Sequence, residues 1–231
     1  MKLTIFIGCF NEKATIARAI EEAKSLNIDK EIIVIDNCST DGTKEILEGL
    51  RNDKSIKIIF NPKNMGAGYS ACIAVAIAKG DYFYGPGADL EYDMGDVCRM
   101  IDKMENEDLD VVLGSRLLNR KNVSRYQLVK ERPFWLGTII ATPMINFLYR
   151  KEFSDIIGIN LIKTDILKKS DCHSSGQALT FELISMLCKR GYKMGEVSIS
   201  YKPRTHREGK TIRVFDMIPA ILAILRVKIF G

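Results

Sequence analysis

Histidine is almost missing from this chain of 231 residues: there are two, His173 and His206, alongside one tryptophan. One sits in the polar stretch "SDCHSSG" and the other in a basic loop, so neither is a promising general base or the start of a histidine-built metal site. None of the six cysteines (Cys9, Cys38, Cys72, Cys98, Cys172, Cys188) belongs to a C-x-x-C pair, which argues against a thiolate zinc site. Scattered through a chain this long, they read as the reduced thiols of a cytosolic protein. Cys9 and Cys38 both follow predicted strands and are expected to be neighbours. A G-x-x-x-x-G-K-[ST] segment is lacking, which excludes a P-loop nucleotidase. Repeats and low-complexity tracts are lacking too. Basic and aromatic residues do not alternate as they do on RNA-binding sheets, so nucleic acid is not an expected partner. No apolar run reaches the ~20 residues of a membrane span. The stretch 133–149 has 17 uncharged residues but includes Pro143 and Asn146, and 217–225 has nine, one of them Pro219.

Hydrophobic residues make up 46% of the chain, ample for a sizeable core, and the net charge of +5 favours anionic partners. The opening "MKLTIFIGCFNEK" has too short an apolar run for a signal peptide and meets Asn-Glu at once, so it reads as a first buried strand. From there the first half alternates. Strands are predicted at 3–8, 31–36, 55–60, 81–85 and 110–114, with helices at 11–27, 41–50, 66–78 and 96–105. Apolar strands alternating with helices predict an α/β fold with a mostly parallel sheet and right-handed crossovers. Ligands of such sheets bind at the carboxyl ends of the strands. That edge carries Asn11-Glu12, Asp36-Asn37, Asn64 to Gly68, and Gly87 to Glu91.

The second half reads differently. Residues 115–132 form a basic loop with Arg116, Arg120, Lys121, Arg125, Lys130 and Arg132, and 202–213 form another. Between them lie the uncharged helix at 133–149, a strand near 156–163, a helix near 178–190 and a strand near 194–201. An apolar helix closes the chain at 213–231. The two apolar helices are expected to lie on a bilayer surface with their basic ends at the headgroups. The alternative is a pair of core or dimer helices.

Gly66-Ala67-Gly68-Tyr69-Ser70-Ala71 matches G-x-G-x-x-A, but it follows the third strand, not the first, so it reads as a helix start where backbone lies close to a neighbour. "VIDNCSTDGT" sets Asp36 at a strand end and supplies Ser39, Thr40 and Asp41 as caps for the next helix. Asp36, and likewise Glu12, can accept hydrogen bonds from a base or ribose. In "YFYGPGADLEYD" a strand turns through Gly-Pro-Gly into Asp89 and Glu91, oxygen donors suited to Mg²⁺ or Mn²⁺.

The series "NE", "EIIVIDNCSTDGT", "NMGAGYSA", "AKGDYFYGPGADLEYD", "VVLGSR" and "CKRGYKMGEVSISYKPRTHREGKTI" resembles the family-2 inverting glycosyltransferases of the GT-A fold, and among them the dolichol-phosphate mannose or glucose synthase-like branch. The resemblance runs over about residues 2–213. It implies a nucleotide-sugar donor (UDP- or GDP-sugar), a divalent cation and a polyprenyl phosphate acceptor at the cytoplasmic face of a membrane. It also implies roles. Glu12 and Asp36 hold the nucleoside, with Asn64, Gly66 and Gly68 beside it, and Asp89 and Glu91 hold the metal. Arg116 lies near the phosphates. Lys130 and Arg132 meet the acceptor phosphate, and Arg204, Arg207 and Lys210 close over donor and acceptor.

Two positions depart from the family's pattern. Gly87 replaces the first aspartate of D-A-D, which is expected to weaken metal binding without abolishing it. Thr180 stands where the first of two acidic residues is usual, leaving Glu182 alone as an acceptor contact. The implied layout is 1–114 for the nucleotide, 115–212 for the acceptor, and the helix at 213–231. A phosphate acceptor is already ionised (second pKa ~6) and needs no base. A cell-envelope saccharide acceptor would need one, for which Glu182 is the candidate. A non-catalytic nucleotide-sugar-binding subunit, and a homodimer or membrane-protein partner, stay open as well.

Overall fold

The computed structural model describes residues 2–119, 135–170, 178–204 and 217–230. Among these residues one seven-stranded sheet forms, in the order β3-β2-β1-β4-β6-β5-β7. Its strands are β1 (Leu3–Cys9), β2 (Lys30–Asp36), β3 (Ile56–Phe60), β4 (Tyr82–Tyr84), β5 (Val111–Ser115), β6 (Asn160–Lys163) and β7 (Met194–Ser198). The first four run parallel, as do β5 and β7, while β6 is antiparallel to both β4 and β5. β1 pairs with β2 on one side and β4 on the other, so the strand order reverses there. A crevice opens outside the carboxyl ends of strands at such a switch point. Glu12 follows β1 and Asp89 follows β4.

The helices are α1 (Ile16–Ser25), α2 (Thr43–Gly49), α3 (Ala67–Ile77), α4 (Asp96–Asn106), α5 (Trp135–Tyr149), α6 (Thr164–Lys168), α7 (Ala178–Lys189) and α8 (Met217–Phe230). Alternating residues of β1 serve both faces of the sheet, as the two-residue strand period requires. Leu3, Ile5 and Ile7 pack with Ile16 and Ile20 of α1 and Met100 of α4, whereas Phe6 joins Phe83 and Ala74 on the α3 side. A third cluster joins Val111 and Leu113 of β5 to α5, α7 and α8.

Three elements differ from the sequence reading. The helix expected from residue 11 begins at Ile16, because Asn11 takes a positive φ and residues 11–15 are held as a loop. The strand expected from 156 begins at Asn160, and the short helix α6 follows it directly. The two apolar helices are not simply laid on the surface. α5 buries Ala141 and Ile145, and α8 buries Ala220 and Ile224, in a cluster shared with α7. Their other faces stay apolar and exposed, with Phe147 at 86% and Phe230 at 83%. Among the described residues no helix is long and apolar enough to cross a membrane.

One close approach brings the halves of the sheet edge together. A Cβ on Gly158 would lie 1.8 Å from the Gly114 carbonyl oxygen, and the Gly114 amide donates to Ile159 O at 2.7 Å. Only glycine allows that crossing, and it sets Asp155 beside the end of β5. Gly158→Ala should therefore destabilise the fold by about 2 kcal/mol or more in urea unfolding. Gly49→Ala, which meets nothing within 4 Å at the end of α2, should leave stability unchanged or raise it slightly. Equal midpoints for the two variants would contradict this packing.

Candidate active site at the carboxyl ends of β1 and β4

The loops after β1 and β2 are laced together by side chains capping backbone groups. The Asn11 amide donates to Ser39 Oγ (2.8 Å), the Thr40 amide to Asn11 Oδ1 (2.9 Å), the Glu12 amide to Thr43 Oγ1 (2.9 Å) and the Lys13 amide to Asp41 Oδ2 (3.0 Å). Asn11 and Cys38 both sit at positive φ, which asparagine tolerates best among non-glycine residues. The result is a rigid frame that fixes Glu12.

Asp36 does not offer its carboxylate to a ligand here. It is 1% exposed and accepts from the Ser39 amide (3.1 Å) and the Ser39 hydroxyl, so it closes the turn after β2. Expected as a nucleoside contact, its carboxylate is in this structure taken up by Ser39. The neighbouring Asn37 takes the next place in the frame. Its Oδ1 accepts from Asn61 Nδ2 (3.0 Å) and the Met65 amide (3.0 Å), and its Nδ2 donates to Asn64 Oδ1 (2.8 Å). Asn64 Oδ1 also receives the Gly66 amide (3.0 Å), and Gly66, at φ +82°, caps α3 while Gly68 is buried in its first turn. Cys9 and Cys38 are free thiols with different partners, Ile35 O and Pro62 O, so the pair is not bridged. Burial pushes the Cys9 thiol far up, helped by the charge of Asp36.

The acidic turn begins at Gly87, whose φ of +76° suits glycine and would strain the aspartate usual in the family. Leu90 is also at positive φ (+55°) between Asp89 and Glu91. The Glu91 amide donates back to Asp89 Oδ1 (3.2 Å). Glu91 is buried, and both its oxygens accept from the segment after β7: Oε2 from Tyr201 Oη (3.0 Å) and Oε1 from the Arg204 amide (2.9 Å). So Glu91, expected as a metal ligand, first serves to hold residues 201–204. Arg204 then reaches across the crevice. Its two terminal nitrogens meet the two Glu12 oxygens at 2.8 Å each, and Nη2 lies 3.9 Å from Asp89 Oδ2.

Arg116, expected near the phosphates, is engaged by protein groups in this structure. It is paired with Asp155 through Nε–Oδ2 (2.6 Å) and Nη2–Oδ1 (3.0 Å), and Nη2 also donates to Thr138 Oγ1 (2.8 Å). Its guanidinium lies 4.7 Å from the Trp135 ring centre and 5.1 Å from that of Tyr201. Enclosed this way, it packs against Tyr201. Glu182 is buried on α7. Lys130, Arg132, Arg207 and Lys210 lie outside the described residues. Asn37, Asn61, Asp155, Trp135 and Tyr201 complete the site, although only Asn37 had been marked, by its place at the sheet edge.

Among the described residues no three His, Cys, Asp or Glu side chains gather closely enough to hold an ion unaided. Asp89, about 30% exposed, faces the crevice near Glu12, Glu91 and one guanidinium. This donor set fits a hard cation when a ligand supplies further oxygens, as Mg²⁺ prefers with phosphates.

A family model for glycosyl transferase family 2 matches residues 4–171, well over half of the chain. The chain belongs to that family. Agl6, the low-salt glycan biosynthesis hexosyltransferase of Haloferax volcanii, is 27% identical over 206 residues, 87% of this chain and 48% of that protein. The cholesterol galactosyltransferase of Borreliella burgdorferi is 37% identical over 213 residues, 85% of this chain and 57% of that protein. The chain thus spans about half the length of these two curated relatives. Among solved structures, glucosyl-3-phosphoglycerate synthase from Mycobacterium tuberculosis, in complex with Mn²⁺, UDP and phosphoglyceric acid, aligns with a TM-score of 0.70 at 17% identity, over 100% of this chain and 79% of that one. That likeness establishes the GT-A type of α/β fold. The family match ends before Tyr201 and Arg204, so the segment that clamps the acidic turn lies beyond it.

Burial and the nearby charge of Glu91 push the Asp89 carboxyl up to about 6. Its unfolded value is ~3.9. The folded chain therefore holds this proton longer than the unfolded chain, and stability falls as pH rises between those values. Thermal melts of wild type and Asp89→Asn should nearly coincide at pH 4. By pH 7 the variant should melt higher. A variant that melts lower at pH 7 would contradict the assignment.

Proposed function

We propose that this chain transfers a hexose from a nucleotide-sugar donor to a polyprenyl phosphate at a membrane surface, inverting the anomeric centre. The observation that carries the reading is Asp89, facing the switch-point crevice beside the Glu12–Arg204 pair. Membership of glycosyl transferase family 2 and the hexosyltransferase and galactosyltransferase names of its relatives support hexosyl transfer. The Mn²⁺ and UDP in the mycobacterial synthase support a metal-assisted nucleotide donor.

In this reading Asp89 holds the cation, with Glu91 as the nearest second oxygen donor. Bound Mg²⁺ or Mn²⁺ would neutralise charge on the departing diphosphate. Glu12 and the asparagine frame of Asn37, Asn61 and Asn64 present acceptors and donors for the nucleoside. Arg204 is the proposed contact to the leaving group. By leaving Glu12 for the diphosphate it would stabilise the leaving group where negative charge develops. Arg207, Lys210, Lys130 and Arg132 remain the proposed phosphate contacts of the basic loops. A phosphate acceptor arrives ionised, so no general base is required.

The exposed faces of α5 and α8 support a peripheral, cytoplasmic-face placement. Lys228 donates to Leu148 O (2.9 Å) and so joins the two helices, which leaves Phe147, Leu222, Ile229 and Phe230 exposed with Arg226 and Lys228 on the same pair. Apolar side chains with basic neighbours suit anionic lipid.

Calorimetric titration of UDP-glucose and GDP-mannose, each with Mn²⁺ and with EDTA, tests this reading. One donor should bind with Mn²⁺, at least tenfold more weakly with EDTA, and Asp89→Ala should lose the metal dependence. That donor should then label polyprenyl phosphate in vesicles. Donor binding with neither transfer nor hydrolysis would favour a non-catalytic subunit, and absence of donor binding would overturn the proposal.

A further inference from the structure

The segment 153–157, between α5 and β6, is held by two neighbouring elements. From α5, Asn146 donates through Nδ2 to Phe153 O (2.7 Å) and accepts the Phe153 amide (3.0 Å), and Thr142 Oγ1 accepts the Ile156 amide (3.3 Å). The other hold comes from β7, at the end of the sheet, and it is a carboxylate. Parallel pairing with β5 sets Glu196 beside Leu113, two residues short of Ser115. Glu196 Oε1 accepts the Ser154 amide (2.9 Å), the Ser154 hydroxyl (3.0 Å) and the Asp155 amide (3.1 Å), and Oε2 shares the Ser154 amide (2.9 Å).

The donors fix the direction of these bonds. The Ser154 hydroxyl gives its one proton to Glu196. In the 2.6 Å contact between Ser154 Oγ and Ser115 Oγ the proton therefore belongs to Ser115. Ser115 Oγ in turn accepts the Leu117 and Leu118 amides (3.1 and 3.0 Å). Glu196 ends a chain of donors that starts in the backbone beyond β5. An ionised carboxylate, which only accepts, suits that place, and bonds to it are the strong, charge-assisted kind.

The same segment carries Arg116. Asp155 Oδ2 accepts the Arg116 amide (3.2 Å) as well as Nε (2.6 Å), so backbone and side chain of Arg116 meet one carboxylate. Asp155 is fully buried, and the backbone that places it is the backbone Glu196 holds. From Arg116 the contacts run to Tyr201, and from Tyr201 to Glu91.

We propose that Glu196 is a positioning residue. By fixing the backbone at Ser154 and Asp155 it sets Arg116 against Trp135 and Tyr201, and so sets the acidic turn that Tyr201 holds. The hold on Arg116 needs no ligand. Its effect on the donor rests on the reading above.

Trp135 is the one tryptophan of the chain, is buried, and has its ring centre 4.7 Å from the Arg116 guanidinium, so its emission reports on this cluster. Glu196→Gln keeps the shape of the side chain but sets an amide donor among donors. Acrylamide should quench Trp135 about twofold more strongly in this variant, as expected for a pair of coupled groups, with far-UV circular dichroism unchanged. Ser154→Ala, which removes the hydroxyl and leaves both amides, should move quenching the same way by less. In calorimetric titration of UDP-glucose and GDP-mannose with Mn²⁺, Glu196→Gln should cost about fivefold in affinity for the donor that binds, and less than about twofold in a Tyr201→Phe background. Quenching unchanged in both variants would overturn the proposal. So would equal losses with and without the Tyr201 hydroxyl, which a merely structural role predicts. If Glu196→Gln does not fold, Ser154→Ala carries both readouts. Raised quenching with no donor bound by wild type would uphold the hold on Arg116 and sink the donor reading alone.

Discussion

Arg116 carries its charge into a place where its side chain is 6% exposed, opposite an Asp155 that is fully buried. Burial works against that charge, and the Asp155 carboxylate more than offsets the effect, so the guanidinium stays ionised. Such pairs persist when geometry is good and the remaining donors are satisfied. Both conditions hold: the contact is two-pronged, Thr138 takes a further donor, and the faces of Trp135 and Tyr201 enclose the plane. Tyr201 passes the order outward to Glu91, and the backbone two and three residues on brings Arg204 across to Glu12. The acidic turn is thus held from behind by one cation and met in front by a second, paired with Glu12.

The parts of the molecule legible in the sequence are those written in local pattern. The apolar runs of β1 to β5 and the helical spacing between them are local, and so is the placement of Glu12 and Asp89 at strand ends. The roles of individual charges are not. Arg116 meets Asp155 39 residues away, Tyr201 meets Glu91 at 110 and Arg204 meets Glu12 at 192. A residue type at a motif position says what a side chain can do, but only the fold says which partner reaches it first. Asp36 makes the same point at short range. Ser39 stands three residues on, and the turn that brings its hydroxyl round also buries the carboxylate.

Backbone geometry marks two further departures. β6 runs antiparallel to β4 and β5, and just before it the chain passes Gly114 at Gly158, a contact visible only once both glycines are placed. Gly87 looks like a lost ligand in the sequence. In the fold it is the residue that permits the turn, at a φ that aspartate adopts only with strain. The apolar helices α5 and α8 were legible as apolar but not as two-faced. Each spends one side on α7 and leaves the other uncovered.

The central claim is that Arg116, through Tyr201, supports the acidic turn. Chemical unfolding of Arg116→Met, paired with donor titration, tests it most directly. Removing one partner of a buried pair should cost about 3–5 kcal/mol. Wild-type stability combined with lost donor affinity would contradict the account and return Arg116 to the phosphates.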